Sequence, residues 1–171
     1  FELHRLFRKM REAGCTYVVM EVSSHALFLD RVYGIPFEVG IFTNLTQDHL
    51  DFHKTMEAYC DAKARLFSMC RVGVVNGDDP WHKRLLEHAA CQVLTYAEQA
   101  PADLRAENVS LSAAGVAFDA VTKSERQAIF VGIPGGFMVY NTLDVLAAAL
   151  ALGIPLKDSA AALRQSRHVK G

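Results

Sequence analysis

The segment from Phe42 to Phe67 combines possible metal ligands with one lysine in an apolar setting. His49 stands between Asp48 and Asp51, and imidazole nitrogens and carboxylate oxygens are common ligands of metal ions. A turn histidine that hydrogen-bonds to Asp51 or to the backbone is the simpler alternative. On spacing alone, the segment is either a metal site or an ordinary polar turn.

Lys63 lies on the apolar face of a predicted helix that has Thr55 as its N-cap. Its neighbours on that face, at spacings of three and four residues, are Met56, Tyr59, Cys60, Leu66 and Phe67. A lysine in this position most often snorkels, so that its methylene groups pack and its ammonium reaches water. A desolvated amine would instead have a lowered pKa and could react as a nucleophile. Both interpretations are open at this point.

Glu21 directly follows the apolar run 17–20, which predicts a buried strand. Ligands of parallel sheets bind beyond the carboxyl ends of strands, so Glu21 and Ser23 are candidate site residues. A carboxylate there can hold Mg²⁺ beside nucleotide phosphates, or it can simply be a solvated strand end. A nucleophilic pair of Ser24 and His25 is disfavoured, because adjacent residues on an extended segment point to opposite sides.

Helices alternate with short apolar strands along most of the chain, which predicts an α/β fold with a mainly parallel sheet and helices on both faces. After residue 101, short strands joined by polar turns predict an antiparallel extension at one sheet edge. The remaining predicted strands are 39–43, 72–75, 91–96, 108–111, 115–118 and 128–133, and the predicted helices are 3–10, 55–69, 81–90, 141–152 and 156–164.

The composition limits the class of protein. The 171 residues are 51% hydrophobic, enough for one domain with a sizeable core. Eighteen basic and nineteen acidic residues give a net charge of -1, so nothing favours a nucleic-acid partner, and the longest apolar stretch is too short to cross a membrane. The four cysteines have no CxxC spacing and are predicted to be small buried side chains in a reducing compartment.

Four ordered blocks carry a family resemblance. The run Met20-Glu21-Val22-Ser23-Ser24-His25-Ala26-Leu27, followed by Arg31-Val32, closely resembles the signature of MurE-type Mur ligases, the UDP-N-acetylmuramoyl-tripeptide synthetases of peptidoglycan synthesis. Residues 42–67, 75–80 and 135–141 are similar to three further blocks of that family. Together the blocks cover nearly the whole chain.

The resemblance implies a Rossmann-like fold, the central ATP-binding domain of a three-domain enzyme. Residues 1–171 are expected to be this domain without the domains on either side. The sequence contains no GxxxxGK[ST] phosphate-binding loop. We therefore expect the fragment alone to be inactive.

The resemblance also implies roles for individual residues. Glu21, His49 and Lys63 match catalytic positions that bind Mg²⁺, and Lys63 matches a lysine that the family carbamylates. This favours the reactive interpretation of Lys63, because only a neutral amine adds CO₂. Ser23 and Arg31 match positions that contact the UDP-sugar peptide.

Recognition of ATP is expected to involve Lys63 and Asn141, which matches an asparagine near the adenine. The spacing alone allows Asn141 to be an N-cap instead. Leu29 and Met138 depart from the family, which often has glutamine and usually has asparagine at these positions. Leu29 and Met138 cannot donate the hydrogen bonds that glutamine and asparagine side chains donate.

The implied reaction is an ATP-dependent amide ligation through an acyl phosphate, which adds the third amino acid to UDP-N-acetylmuramoyl-L-alanyl-D-glutamate. That amino acid is meso-diaminopimelate or L-lysine, and the enzyme is expected to be a cytoplasmic monomer. Another Mur-type ligase, similar to folylpolyglutamate or cyanophycin synthetase, is one alternative. A non-catalytic module that binds a nucleotide or a UDP-sugar is the other.

Overall fold

A computed structural model of the chain describes residues 2–48, 50–87 and 89–166. Helices separate the first three strands, and the last four strands follow one another without a helix between them. The strands are β1 (Phe37–Phe42), β2 (Cys70–Asn76), β3 (Gln92–Ala97), β4 (Leu104–Ser112), β5 (Gly115–Val121) and β6 (Arg126–Val131). The helices are α1 (Glu2–Glu12), α2 (Ser24–Phe28), α3 (Leu50–His53), α4 (Met56–Ala64), α5 (His82–Glu87), α6 (Phe137–Ala151) and α7 (Leu156–Leu163), and a 3₁₀ turn (Arg65–Ser68) extends α4.

The six strands form one sheet in the order β1-β2-β3-β4-β5-β6. Strands β1 to β4 are parallel, and β4 to β6 form two antiparallel pairs. The α/β prediction, with a mainly parallel sheet and an antiparallel extension at one edge, is therefore confirmed. The parallel strands bring their carboxyl ends to one edge of the sheet, where polar residues follow β1 and β2.

Each face of the sheet has its own hydrophobic core. Val74 faces one core, which contains residues of α6 and α7, whereas its neighbour Val75 faces the other, which contains residues of α4 and α5. Both valines are fully buried, as expected for a strand that is covered on both sides. The predicted arrangement of helices on both faces is confirmed.

The predicted buried strand at 17–20 is wrong. These residues lie outside the sheet, and Val19 is 96% exposed and Tyr17 73% exposed. A strand needs a neighbour for its backbone N–H and C=O groups, and within the described residues β1 forms the sheet edge with β2 as its partner. The apolar run has the local composition of a strand, but pairing depends on residues far away in the sequence. Glu21 therefore follows a largely exposed segment outside the sheet instead of a buried strand.

The cysteines are all free thiols, but their burial differs. Cys60 is fully buried, as predicted, whereas Cys15 is exposed, so the prediction of buried side chains is wrong there. Cys70 and Cys91 are partly buried. Among the described helices, none has the length and apolar content to cross a bilayer.

Candidate active site

A cavity of about 650 Å³ lies beside the start of α2 and is called the first cavity. Three of the predicted site residues, Glu21, Ser23 and Arg31, line it together. Its other lining residues are Glu2, Leu3, Leu6, Met20, Ala26 and Val32. The cavity thus presents a carboxylate, a hydroxyl and a guanidinium above an apolar wall, a combination that suits a substrate with both anionic and apolar parts.

Ser23 has a structural task at this cavity. It is the N-cap of α2, with extended backbone angles, and its hydroxyl accepts a hydrogen bond from the Ala26 N–H at 3.1 Å. This bond satisfies one of the helix donors that lack a partner within the helix. The proposed contact between Ser23 and a substrate stays a prediction, which the capping bond allows because a hydroxyl oxygen has a second lone pair.

Lys63 lies in the last turn of α4, and its side chain is partly buried. Thr55 caps that helix through a hydrogen bond from the Ala58 N–H at 3.1 Å, as predicted. The Lys63 Nζ lies 5.4 Å from the centre of the Tyr59 ring. Burial lowers the pKa of Lys63, and the nearby Glu21 carboxylate opposes this shift. The amine is therefore desolvated, in agreement with the reactive interpretation, while its carbamylation stays a prediction.

Within the described residues, no group of three or more His, Cys, Asp or Glu side chains could hold a metal ion. The predicted ligand His49 lies outside the described residues. Glu21 supplies hard oxygens close to Lys63, but a protonated lysine would repel a cation at that point. A carbamylated Lys63 would replace that cation with two anionic oxygens. The pair of Glu21 and Lys63 therefore fits Mg²⁺ only with this modification.

A second cavity, of about 290 Å³, lies between the ends of β1 and β2 and the start of α6. Asn141 lines it, with its side chain exposed. The other lining residues are Thr43, Asn44, Asn76, Asp78, Asp79, Pro80, Tyr96, Phe137 and Tyr140. Helix α6 begins at Phe137 after Gly136, so Asn141 is in its second turn and the N-cap interpretation is wrong. The Asn141 amide lies 4.0 Å from the Met138 sulfur, and it is available to a ligand in the cavity.

Two buried polar residues, Asn76 at the end of β2 and Asp79 in the turn after it, hold the loop that follows β1. The Asn76 amide donates to the Thr43 carbonyl at 2.8 Å, and the Leu45 N–H donates to the Asp79 carboxylate at 2.9 Å. A second Asp79 oxygen accepts from the Trp81 N–H at 2.8 Å. The sequence predicted a turn at 76–80, but it did not reveal that this turn fixes the neighbouring loop. The run of Asn, Gly and two Asp residues at 76–79 is the sequence feature that could have indicated such side-chain hydrogen bonds to backbone groups.

Asp78 fixes the other wall of the second cavity. Its carboxylate accepts hydrogen bonds from the N–H groups of Glu98, Gln99 and Ala100 at 2.7, 3.0 and 2.7 Å, and from the Tyr140 hydroxyl at 3.0 Å. Burial alone would raise the pKa of Asp78, but these donors stabilise the carboxylate and bring the pKa below its ordinary value. The ionised Asp78 carboxylate therefore fixes the segment 98–100 and Tyr140 relative to each other at this wall of the cavity.

Ser24 and His53 form a buried contact that the sequence did not reveal. The His53 Nε2 and the Ser24 hydroxyl are 2.9 Å apart, and the His53 ring stacks on Tyr59 with centres 5.1 Å apart. Ser24 is only 2% exposed, so a substrate has no access to this hydroxyl as a nucleophile. The contact instead joins α2 to α3 and α4, and so ties the helix capped by Ser23 to the helix that carries Lys63.

The chain is similar to proteins of one family. A family model for the Mur ligase middle domain matches residues 1–149. The UDP-N-acetylmuramoyl-L-alanyl-D-glutamate--2,6-diaminopimelate ligase of Clostridium botulinum is 46% identical over 170 residues, which are 99% of this chain and 35% of that protein. The ligase of the same name from Gloeobacter violaceus is 49% identical over 173 residues, with the same coverage.

Solved structures agree. A structure of a UDP-N-acetylmuramoyl-L-alanyl-D-glutamate--2,6-diaminopimelate ligase superposes with a TM-score of 0.93 at 30% identity, over 99% of this chain and 36% of that one. MurF from Acinetobacter baumannii has a TM-score of 0.71 at 25% identity, over 78% of this chain and 30% of that one. The chain spans about a third of the length of the relatives that it matches.

Proposed function

Because the chain belongs to the Mur ligase middle-domain family, we propose that it is the central, ATP-binding part of a cytoplasmic ligase of peptidoglycan synthesis. The intact enzyme would add the third amino acid to UDP-N-acetylmuramoyl-L-alanyl-D-glutamate. Relatives 46% and 49% identical to the chain are named as 2,6-diaminopimelate ligases, and this supports diaminopimelate over L-lysine as that amino acid. The observation that carries the proposal is the desolvated Lys63 beside Glu21.

The proposed reaction begins with attack of the substrate carboxylate on the γ-phosphate of ATP, which forms an acyl phosphate and ADP. The amine of the amino acid then displaces phosphate and forms the amide. Two anions must approach each other in the first step, so catalysis depends on neutralising and positioning them. Mg²⁺ held by Glu21, His49 and carbamylated Lys63 would supply that neutralisation.

The chain's own residues have distinct tasks in this proposal. The Lys63 ammonium would first lose one proton to solvent, and the neutral amine would then attack CO₂ and form a C–N bond. The nitrogen would lose a second proton to solvent, so that a cation becomes an anionic carbamate. Arg31 would donate two parallel hydrogen bonds to a carboxylate or phosphate of the UDP-sugar peptide. Ser23, which lines the same first cavity, would contact the same substrate. Asn141 would bind the adenine edge, as an amide can serve both a donor and an acceptor.

The direct test is Lys63→Ala in the intact enzyme, with formation of ADP measured in the presence of the UDP-dipeptide and diaminopimelate. We expect a loss of at least about 100-fold in kcat, since charge stabilisation at the transferred phosphoryl group is removed. Added acetate or formate should restore part of the rate by replacing the carbamate oxygens. Lys83→Ala, at an exposed position in α5, is the matched control and should leave the rate unchanged.

Unchanged turnover in the Lys63→Ala enzyme would refute the role of Lys63. An intact protein that binds ATP and the UDP-dipeptide but forms no ADP would instead favour the non-catalytic binding module. Replacing diaminopimelate by L-lysine in the same assay tests the choice of amino acid, and faster turnover with L-lysine would overturn it.

A further inference from the structure

Two cysteines on neighbouring strands lie with their sulfur atoms 3.6 Å apart. Cys70 begins β2, and Cys91 directly precedes β3. Val72 pairs with Gln92, so Cys91 lies one residue beyond the position opposite Cys70. Neighbouring strands are about 4.8 Å apart and one residue rises about 3.3 Å, which places the two Cα atoms about 6 Å apart. This is within the Cα separation of about 4.4–6.8 Å that disulfides span. An S–S bond is about 2.05 Å long, so the sulfurs need to approach by only about 1.5 Å. A bond can therefore form without separating or shifting the strands.

Two glycines on neighbouring strands, Gly40 and Gly73, leave room for the sulfurs. A Cβ atom built on Gly40 would lie 3.0 Å from the Cys70 sulfur, and one built on Gly73 would lie 3.3 Å from the Cys91 sulfur. Each sulfur thus packs directly against a glycine that leaves room for it. Side chains at these two glycines would push the sulfurs from their present places.

The two thiols also differ in chemistry. The Cys70 thiol donates a hydrogen bond to the Cys91 sulfur. Burial, together with the neighbouring Cys91, raises the pKa of Cys70 to about 12. Cys70 therefore stays protonated near neutral pH, and a thiol is a poorer nucleophile than a thiolate. This arrangement makes Cys91 the first sulfur to react and Cys70 the second.

We propose that Cys70 and Cys91 are a modification site at which a hydroperoxide, such as hydrogen peroxide, forms an intramolecular disulfide. The Cys91 sulfur attacks one peroxide oxygen, the O–O bond breaks, and the Cys91 proton leaves with the second oxygen as water. Cys70 then attacks the Cys91 sulfenic acid, the S–O bond breaks, and a second water leaves with the Cys70 proton. Two thiols and one peroxide give one disulfide and two waters.

The expected effect is on stability, and it is independent of the proposed ligase activity. The two cysteines lie at the amino ends of β2 and β3, whereas Asn76 and Tyr96 line the second cavity near the carboxyl ends of the same strands. The bond would close a loop between residues that are 21 positions apart, and so restrict the unfolded chain. We expect the melting temperature to rise by roughly 5–10 °C on oxidation.

The test uses the Cys15→Ser protein, because Cys15 is exposed and would otherwise form bonds between molecules. After hydrogen peroxide treatment, intact mass should fall by about 2 Da, peptide mapping should find a Cys70–Cys91 link, and dithiothreitol should reverse both. Cys91→Ser in the same background should form no bond. Cys70→Ser should stop at an oxygen adduct on Cys91, with a mass gain of about 16 or 32 Da.

Two results would overturn the proposal. One is an oxygen adduct on Cys91 in the Cys15→Ser protein while Cys70 stays a thiol. The other is that both thiols survive a peroxide treatment that fully oxidises Cys15 in the unsubstituted protein. A bond that forms without any rise in melting temperature would contradict the stability argument, since the closed loop should restrict the unfolded chain.

Discussion

Asp144, a partly buried carboxyl group in α6, is expected to destabilise the fold once it ionises. Burial raises its pKa from 3.8 to about 7, against a smaller opposing effect of the Val145 N–H. Below about pH 3 the group is mostly neutral in both the folded and the unfolded chain. As the pH rises to about 7 the unfolded chain loses the proton first, so stability falls over this range and is constant above it.

The magnitude follows from the size of this shift. A shift of about three pKa units at 1.36 kcal/mol each gives an upper bound of about 4 kcal/mol. Because the side chain keeps some access to water, screening reduces this to roughly 2 kcal/mol. Asp144→Asn keeps the shape and cannot ionise, so it should stabilise the protein by about 2 kcal/mol at pH 8, or about 4–8 °C in melting temperature. At about pH 4 the gain should fall below about 0.5 kcal/mol.

Thermal unfolding followed by circular dichroism at both pH values is the assay. Glu125→Gln, at an exposed position in the turn between β5 and β6, is the control and should change stability by less than about 0.5 kcal/mol at either pH. An equal gain from Asp144→Asn at both pH values would mean that ionisation is not the cause. A loss of stability at pH 8 would mean that the carboxylate is stabilised in the fold, and would refute the desolvation argument.

Two further substitutions test the packing by urea unfolding. Gly115→Ala should lower the free energy of unfolding by at least about 2 kcal/mol. The reason is that Gly115 has a φ of +144° and its added Cβ would lie 2.1 Å from the Val131 carbonyl oxygen. Gly132→Ala, where the nearest atom is 3.9 Å away, is the control, and equal costs would contradict the steric argument. Tyr96→Phe should be neutral or stabilise by up to about 1 kcal/mol, since the buried hydroxyl has no hydrogen-bond partner among the described residues; a clear loss would reveal a partner for it.

Local sequence patterns predicted most of the fold. The apolar run at 39–43 corresponds to β1, and the stripe at 55–69 corresponds to α4 and the 3₁₀ turn after it. These elements form where the periodicity and the caps agree, and both signals lie within a few residues. The run at 17–20 has equally good local signals, but the partner strand that it would need is not determined by its own residues. Local composition therefore predicts which segments can form strands, and the sheet decides which of them do.

The candidate site divides in the same way. The burial of Lys63 followed from its spacing on α4, because a helix face is determined by neighbours three and four residues away. The contacts of Ser24 with His53 and of Asn76 with Thr43 could not be predicted, because they join residues 29 and 33 positions apart. The position of Asn141 in the second turn of α6 could not be predicted either. The N-cap residue of α6 is Gly136, which has no side chain to make the capping hydrogen bond by which a helix start is usually recognised.

The contacts of two arginines, Arg65 and Arg84, explain how α4 holds Lys63 at a fixed place. On one side, Arg65 donates to the carbonyls of Leu27 and Phe28 at 3.3 and 3.2 Å, at the end of α2. On the other, Arg84 of α5 makes two parallel hydrogen bonds to Asp61, at 2.7 and 2.8 Å. The charge that we propose for a carbamylated Lys63 would need such positioning, since misplacement of a catalytic group by about 1 Å can lower a rate about 100-fold. The guanidinium contacts of Arg65 and Arg84 therefore brace the helix that carries Lys63 on both sides.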